Sequence, residues 1–437
     1  MTKFSIATLC AAAVMTSSLF AGSDKVAEMK KLLEDQGIQP NYVETAQKGV
    51  KLSGYVDVSY TYKPTKGASQ NPNNVTPPFG SRGNFDNDSN DFSVNAVKLA
   101  LEKELSDANE FTAGFRIDGM MGEDAGILNG AGGGSASNLF LEQAYVQFRA
   151  PVGNGLDFKV GKFVTLLGYE VIESPANLNF SRGLLFTFAI PLTHTGALAS
   201  YKFNDVVDMQ LGIVNGWNND DTFYGRTAVG SPTGNPFDNT GDFAKAVTGR
   251  INVTAPGGNA NIAQSFIFSP DGEQNAFGPN AAAFTSQNAW VYDIWGNWAP
   301  KFANDKLLLG FNFDIGQVDG RNYVNNAVPL TNQIKDEALW YGIALYAKYQ
   351  FTPKFSLATR GEYFVDEGGW RNGINTYGNN ALKASELWSW TITASFDLWE
   401  NMLARLEYRY DTGNQPVLGY VNGTDQHSIA LNFVYSF

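Results

Sequence analysis

A chain of 437 residues with formal net charge −12 is a poor partner for nucleic acid, because phosphate contact needs clustered Lys and Arg. Its one cysteine, Cys10, lies in the N-terminal apolar segment, so the remainder has no disulfide framework and no thiolate chemistry. Aromatic residues make up 14 % of the chain and glycine is frequent. Beyond the first segment, no stretch approaches the roughly 20 continuous apolar residues of a membrane helix, and the alternating helix and strand patterns of a two-domain enzyme are missing.

In chain order, Lys3 is followed by an apolar run over residues 4–20 that ends at Ala21-Gly22. A basic start, a short apolar stretch and a small residue at the cut predict a cleaved signal peptide over residues 1–21. Leu9 before Cys10 does not fit a lipoprotein cleavage site, which argues against a lipid anchor. Residues 23–36 read as a short helix capped by Ser23, with Val26, Met29, Leu32 and Leu33 on one face and Gly37 where it would stop. Residues 22–50 are thus an expected periplasmic extension. So short a helix is marginal in isolation.

From Lys51 the period changes to two. Leu52, Val56, Val58, Tyr60 and Tyr62 point one way, and Ser53, Asp57, Ser59 and Thr61 the other. Near the C-terminus, Met402, Ala404, Leu406, Tyr408 and Tyr410 alternate with Arg405, Glu407, Arg409 and Asp411. A soluble sheet can alternate in this way too. Two features separate the cases. The apolar face carries aromatics near strand ends, including Trp388 and Trp390, as a girdle at lipid headgroups would. The connections also alternate in length. Short ones fall at 106–109, 152–155, 204–206, 256–259, 300–305, 352–354 and 399–401. Long ones fall at 64–91, 122–137, 164–192, 218–242, 270–287, 318–337, 367–386 and 412–426.

Placing one strand between each pair of connections predicts an all-β fold for residues 51–437. It would be a transmembrane antiparallel up-and-down β-barrel of about 16 strands, with residues 260–269 as the weakest strand. A barrel of that size leaves an aqueous interior. The faces assigned to the lumen carry Arg116, Asp118, Asp157, Lys159, Asp314, Arg360, Glu362, Arg405, Glu407 and Arg409, more charge than can be buried dry. Water is the expected filling. The final strand ends on Phe437 after Ile429, Leu431, Phe433 and Tyr435 on the outer face.

The third long connection, 164–192, is unusually apolar, with Leu166, Leu167, Val171, Ile172, Leu184, Leu185, Phe186 and Phe188. A loop this apolar is expected to fold inward onto the wall rather than stand in water. Its polar members Glu170, Glu173, Asn177 and Arg182, with His194, then become candidates for a pore constriction, where opposed charges set ion preference. The alternative is that Glu170 and Arg182 pin the loop to the wall and never meet a solute.

Residues 141–219 carry Val160-Gly161-Lys162, Gly168-Tyr169-Glu170, Pro175 with Asn177, Ser181-Arg182, Pro191, His194-Thr195-Gly196 and Asn215-Gly216-Trp217. In this order and spacing the run resembles the OmpL-like β-barrel porin family of bacterial outer membranes. The resemblance implies a porin-type barrel passing ions and small polar solutes; it implies no particular solute. Expected partners are outer-membrane lipid, lipopolysaccharide and further copies of the chain in a trimer. An anchor or adhesin acting through the long loops or the N-terminal helix is the competing function. The negative balance suggests weak cation preference, although overall charge includes the outer loops.

No enzyme chemistry is legible. Two histidines about 230 residues apart, His194 and His427, make a histidine metal site improbable. Residues 86–91 lack the glycine, and Val97 replaces the glutamate, of an EF-hand. The glycines at 130–134 lack the Lys-Ser or Lys-Thr of a P-loop, and no G-x-S-x-G elbow occurs. The reading therefore assigns no catalytic residue, no metal and no cofactor.

Overall fold

The computed structural model describes residues 43–44, 49–64, 90–106, 110–131, 138–217, 245–270, 284–285, 288–304, 306–318, 322–323, 338–367, 371, 384–414 and 425–437. The signal peptide and the helix expected over 23–36 lie outside the described residues, as does most of several long connections. The third long connection is described throughout.

The first eight strands of the wall are β1 (Val50–Tyr62), β2 (Asp91–Lys103), β3 (Thr112–Met121), β4 (Leu139–Ala150), β5 (Leu156–Val164), β6 (Thr193–Lys202), β7 (Val207–Val214) and β8 (Ala246–Thr254). They are followed by β9 (Ala260–Ser269), β10 (Ala289–Trp298), β11 (Leu307–Val318), β12 (Ala338–Thr352), β13 (Phe355–Asp366), β14 (Ser385–Trp399), β15 (Met402–Gly413) and β16 (Asp425–Ser436). Each is antiparallel to its neighbour in sequence, and β16 pairs with β1, so the sheet closes. The closed, 16-strand, up-and-down barrel is the one the connection lengths predicted, and residues 260–269 form β9. At the seam, Gly54 and Phe437 exchange both backbone hydrogen bonds at 2.9 Å.

The wall is inverted relative to a soluble protein. Trp388 is 55 % exposed on the outside and Leu345 57 %, while Arg405 is 1 % exposed on the inside and Arg360 0 %. Apolar outside and charged inside is stable only where the outer solvent is lipid. Within the wall, Gly161 has φ +137°, and a Cβ there would lie 2.2 Å from the Ala144 carbonyl oxygen. Only glycine fits that close strand approach.

Two α-helices lie in the connections among the described residues. Helix α1 (Glu123–Ala131) follows β3 and buries Ala125 and Leu128, one turn apart. The sequence predicts only a long connection over 122–137, and the structure places a helix in it; the acidic first turn, Glu123 and Asp124, suits a helix N-terminus. Helix α2 (Leu184–Phe188) is a single turn within the third connection. Its Leu184, Leu185, Phe186 and Phe188 share one apolar cluster with inward-facing Ile267, Val291, Val318, Trp340, Phe364 and Leu387. Phe188 stacks on Phe364 with centroids 5.7 Å apart. The inner face is thus apolar near the long-loop ends of the strands. That is where the apolar connection finds its partners.

Candidate functional site

The third connection, residues 165–192, can be followed by its hydrogen bonds to inward-facing side chains. Ser265 on β9 donates to the Leu166 carbonyl at 3.0 Å, and the Tyr169 amide donates to Asn312 on β11 at 3.0 Å. The Tyr169 ring packs on Tyr346 of β12, with centroids 4.4 Å apart. Glu170 then meets Arg360 on β13 at 2.5 Å. The chain crosses to the other side, where Glu173 accepts from Tyr55 on β1 at 3.1 Å and pairs with Lys98 on β2. It returns along β15 and β14. Arg405 donates to Ser174 Oγ at 2.6 Å, Asn179 to Thr393 at 2.7 Å, and the Phe180 and Ser181 amides to Glu407 at 2.6 and 3.0 Å. Finally the Leu184 amide donates to Glu362 at 2.8 Å, and Trp340 Nε1 to the Ala189 carbonyl at 3.1 Å.

Local chemistry holds this path in shape. The Asn177 side chain accepts from the Val171 amide at 3.0 Å and donates to the Val171 carbonyl at 2.8 Å, closing residues 171–177 into a loop. Pro175 is the second residue of the short 3-10 turn Ser174–Ala176, where a backbone N–H would have no partner within the turn. Gly168, at φ +91°, leaves room for Ile190, which a Cβ would meet at 2.5 Å.

The placement of the predicted residues follows. Glu170, Arg182 and His194 are buried. Glu170 is held by Arg360 and by the Gly183 amide at 2.5 Å. Arg182 donates to the Ile172 and Phe180 carbonyls and faces Asp124 of α1 at 3.5 Å. His194 Nδ1 lies 3.3 Å from the Gly216 carbonyl, which needs a donor, so Nε2 accepts from Thr165 Oγ1 at 3.2 Å. These are the contacts of pins. Glu173 remains partly exposed, and Asn177 is half-buried.

On the wall, Arg360, Glu362, Arg405, Glu407, Arg409 and Asp314 are buried, not surrounded by the expected water. The crossing connection supplies partners that water would otherwise provide: Arg409 donates to the Arg182 carbonyl at 2.6 Å and Arg405 to the Ser174 carbonyl at 3.0 Å. Asp157 pairs with Arg149 at 2.7 Å. Arg116 and Lys159 stay partly open.

The sequence reading missed Lys98, Glu142, Asp293 and Arg250, all inward-facing. Strand alternation was the available signal: in β8, Val247, Ile251 and Val253 point out while Thr248, Arg250 and Asn252 point in. Asp118, Glu142 and Glu173 place carboxylate oxygens within 4.8 Å of one another. Lys98 Nζ lies 3.2 Å from Asp118 and 3.0 Å from Glu142, and so fills the place a cation would take. Outside the strands, burial pushes the Asp124 carboxyl up to about 7. Arg182 opposes the shift and Asp57 adds to it.

A closed 16-strand barrel with a charged interior and an apolar exterior defines an outer-membrane channel. Residues 49–437 match the family model described as "Putative beta-barrel porin-2, OmpL-like". The chain belongs to that family, and it is an outer-membrane porin. Solved structures agree in fold. The outer-membrane channel DcaP of Acinetobacter baumannii superposes with TM-score 0.51 at 14 % identity, covering 89 % of this chain and 97 % of its own. An anion-selective porin from Comamonas acidovorans gives 0.55 at 10 % identity, covering 89 % and 99 %. Salmonella typhi OmpF, in complex with daunomycin, gives 0.55 at 13 % identity, covering 90 % and 100 %. No curated protein sequence matches the chain. The family is one of porins, and DcaP and the Comamonas protein are described as a channel and a porin.

Proposed function

We propose that the protein is a passive diffusion porin whose crossing connection, residues 165–192, narrows the lumen. On this reading, solutes pass between that connection and the inner face of β3–β8. The observation that carries it is the one-sided anchoring of the connection. Apart from its own ends, where Thr165 meets His194 of β6, its hydrogen bonds reach β1, β2 and β9–β15. Inward-facing Arg116, Gln147, Lys159, Ser200, Gln210, Arg250 and Asn252 are polar, and none bonds to the connection. A polar face that the connection leaves uncovered is a face for water and solute. Glu173, partly exposed, lies on the crossing itself, while Glu170, Arg182 and His194 act as its pins.

The same reading includes export through a cleaved signal peptide over 1–21, a periplasmic extension over 22–50 and a barrel over 51–437 set in lipid and lipopolysaccharide. Trimer association belongs to it too, supported by OmpT of Vibrio cholerae, a fold neighbour with TM-score 0.50 and 10 % identity that occurs in a trimer form.

Single-channel recording of the refolded protein in a planar bilayer tests the proposal. Discrete conductance steps are expected from the full chain, and larger steps after removal of residues 170–185. A folded barrel that passes no current would overturn the channel reading. An unchanged step size after the deletion would overturn the narrowing.

A further inference from the structure

The inward-facing arginines of the wall follow one rule with one exception. Arg116 has Asp118 at 2.8 Å and Glu102 at 3.0 Å; Arg149 has Asp157 at 2.7 Å. Arg360 has Glu170 and Glu362, Arg405 has Asp57 at 3.7 Å, and Arg409 has Asp411 at 2.9 Å. Arg250, in the middle of β8, has no carboxylate within 4.0 Å among the described residues. It is 8 % exposed, and its Nε has no hydrogen-bond partner. Asp208 and Asp293 act on it only at longer range, and the Asp208 carboxylate already accepts from Asn252 at 2.9 Å.

The surroundings of Arg250 are incomplete in the same way. Gln210 faces it across the β7–β8 pair. The Gln210 amide nitrogen donates to Ser200 at 3.2 Å, while its Oε1 is buried without a partner. Lys159 on β5 is a second cation lacking a carboxylate within 4.0 Å among the described residues. Its ammonium sits 4.6 Å over the Tyr145 ring, and its electrostatic neighbours are the carboxylates Glu102 and Asp118, both already held by Arg116, and the like charges Arg116 and Arg250. Leaving a charge buried and unpaired is among the most costly arrangements in a folded chain. Every other wall arginine among the described residues avoids it.

We propose that Arg250 and Lys159 form an oxyanion-binding subsite on the β5–β8 arc of the lumen, taking small carboxylate- or phosphate-bearing solutes in transit. The planar guanidinium fork suits two oxygens of such a group, and Lys159 adds a second positive charge within electrostatic reach of Arg250. The subsite rests on the porin reading and names the solute class that the pore favours. It also opposes the cation preference suggested by the net charge of −12, because selectivity follows the charges along the path and not the total.

The test uses the full chain, refolded into planar bilayers, with the heat-modifiable gel shift of the folded barrel as a control for each variant. Under a KCl gradient the wild type should show a reversal potential favouring chloride, and inorganic phosphate should reduce its KCl current. In K159Q and R250Q the chloride-to-potassium permeability ratio should fall about fivefold for each charge removed. That is the Boltzmann weight of a unit charge at contact distance in water. Phosphate block should fade in the same variants, and R250K should retain both properties. Potassium preference in the wild type, or a ratio and phosphate block unchanged in K159Q/R250Q, would overturn the subsite and leave the porin standing. A folded barrel with no current would sink both together.

Discussion

Replacing Arg360 by methionine should free one end of the crossing connection while leaving the barrel closed. Arg360 binds Glu170 at 2.5 Å, Glu362 at 2.8 Å and the Ser181 carbonyl at 2.7 Å. The two glutamates in turn hold the Gly183 and Leu184 amides. Removing the guanidinium strands two buried carboxylates beside each other. Breaking a buried pair in this way costs about 3–5 kcal/mol, or roughly two to three and a half decades in the population of the released segment. The Arg405 and Glu407 contacts farther along remain, so release is confined to the stretches around 170 and 181–184. Single-channel recordings of R360M should show larger or flickering conductance where the wild type is steady. Adding E170Q and E362Q removes the stranded charge and should restore most of the steady behaviour. A folded R360M with wild-type step size and noise would refute the idea that this network holds the connection in place.

Two other outcomes are expected. Asp124 has a folded value of about 7 against an ordinary 3.8, so its contribution to the docking of α1 is complete below about pH 4 and is lost as pH rises through 7. Amide exchange over residues 123–131, corrected for intrinsic rates, should speed up between about pH 6 and pH 8 in the wild type and stay flat in D124N; equal slopes would refute the linkage. Trp388 and Trp390 face outward, whereas Trp217 and Trp340 are buried, so brominated lipid should quench the former. W388F/W390F should lose part of that quenching and W217F/W340F should not; the reverse pattern would invert the wall.

The sequence alone determined the wall. Period-two alternation and the succession of short and long connections require neighbours a few residues apart, and side-chain period two leaves no freedom in which face is which. Strand number, closure and the outward tryptophans were legible for that reason, and Arg250 could have been read by the same rule in β8. The apolar character of 165–192 was legible too. What it meets was not. Arg405 and Ser174 are 231 residues apart, and Phe180 and Glu407 are 227 apart, and no local pattern relates such pairs. Only the closed barrel brings β13–β15 round to the connection that leaves β5. Tertiary structure therefore decided which lumen charges are spent on protein partners and which stay open. Desolvation acts on a charge through whatever surrounds it in space, and in a barrel the surroundings of each inward side chain come from strands far away in sequence.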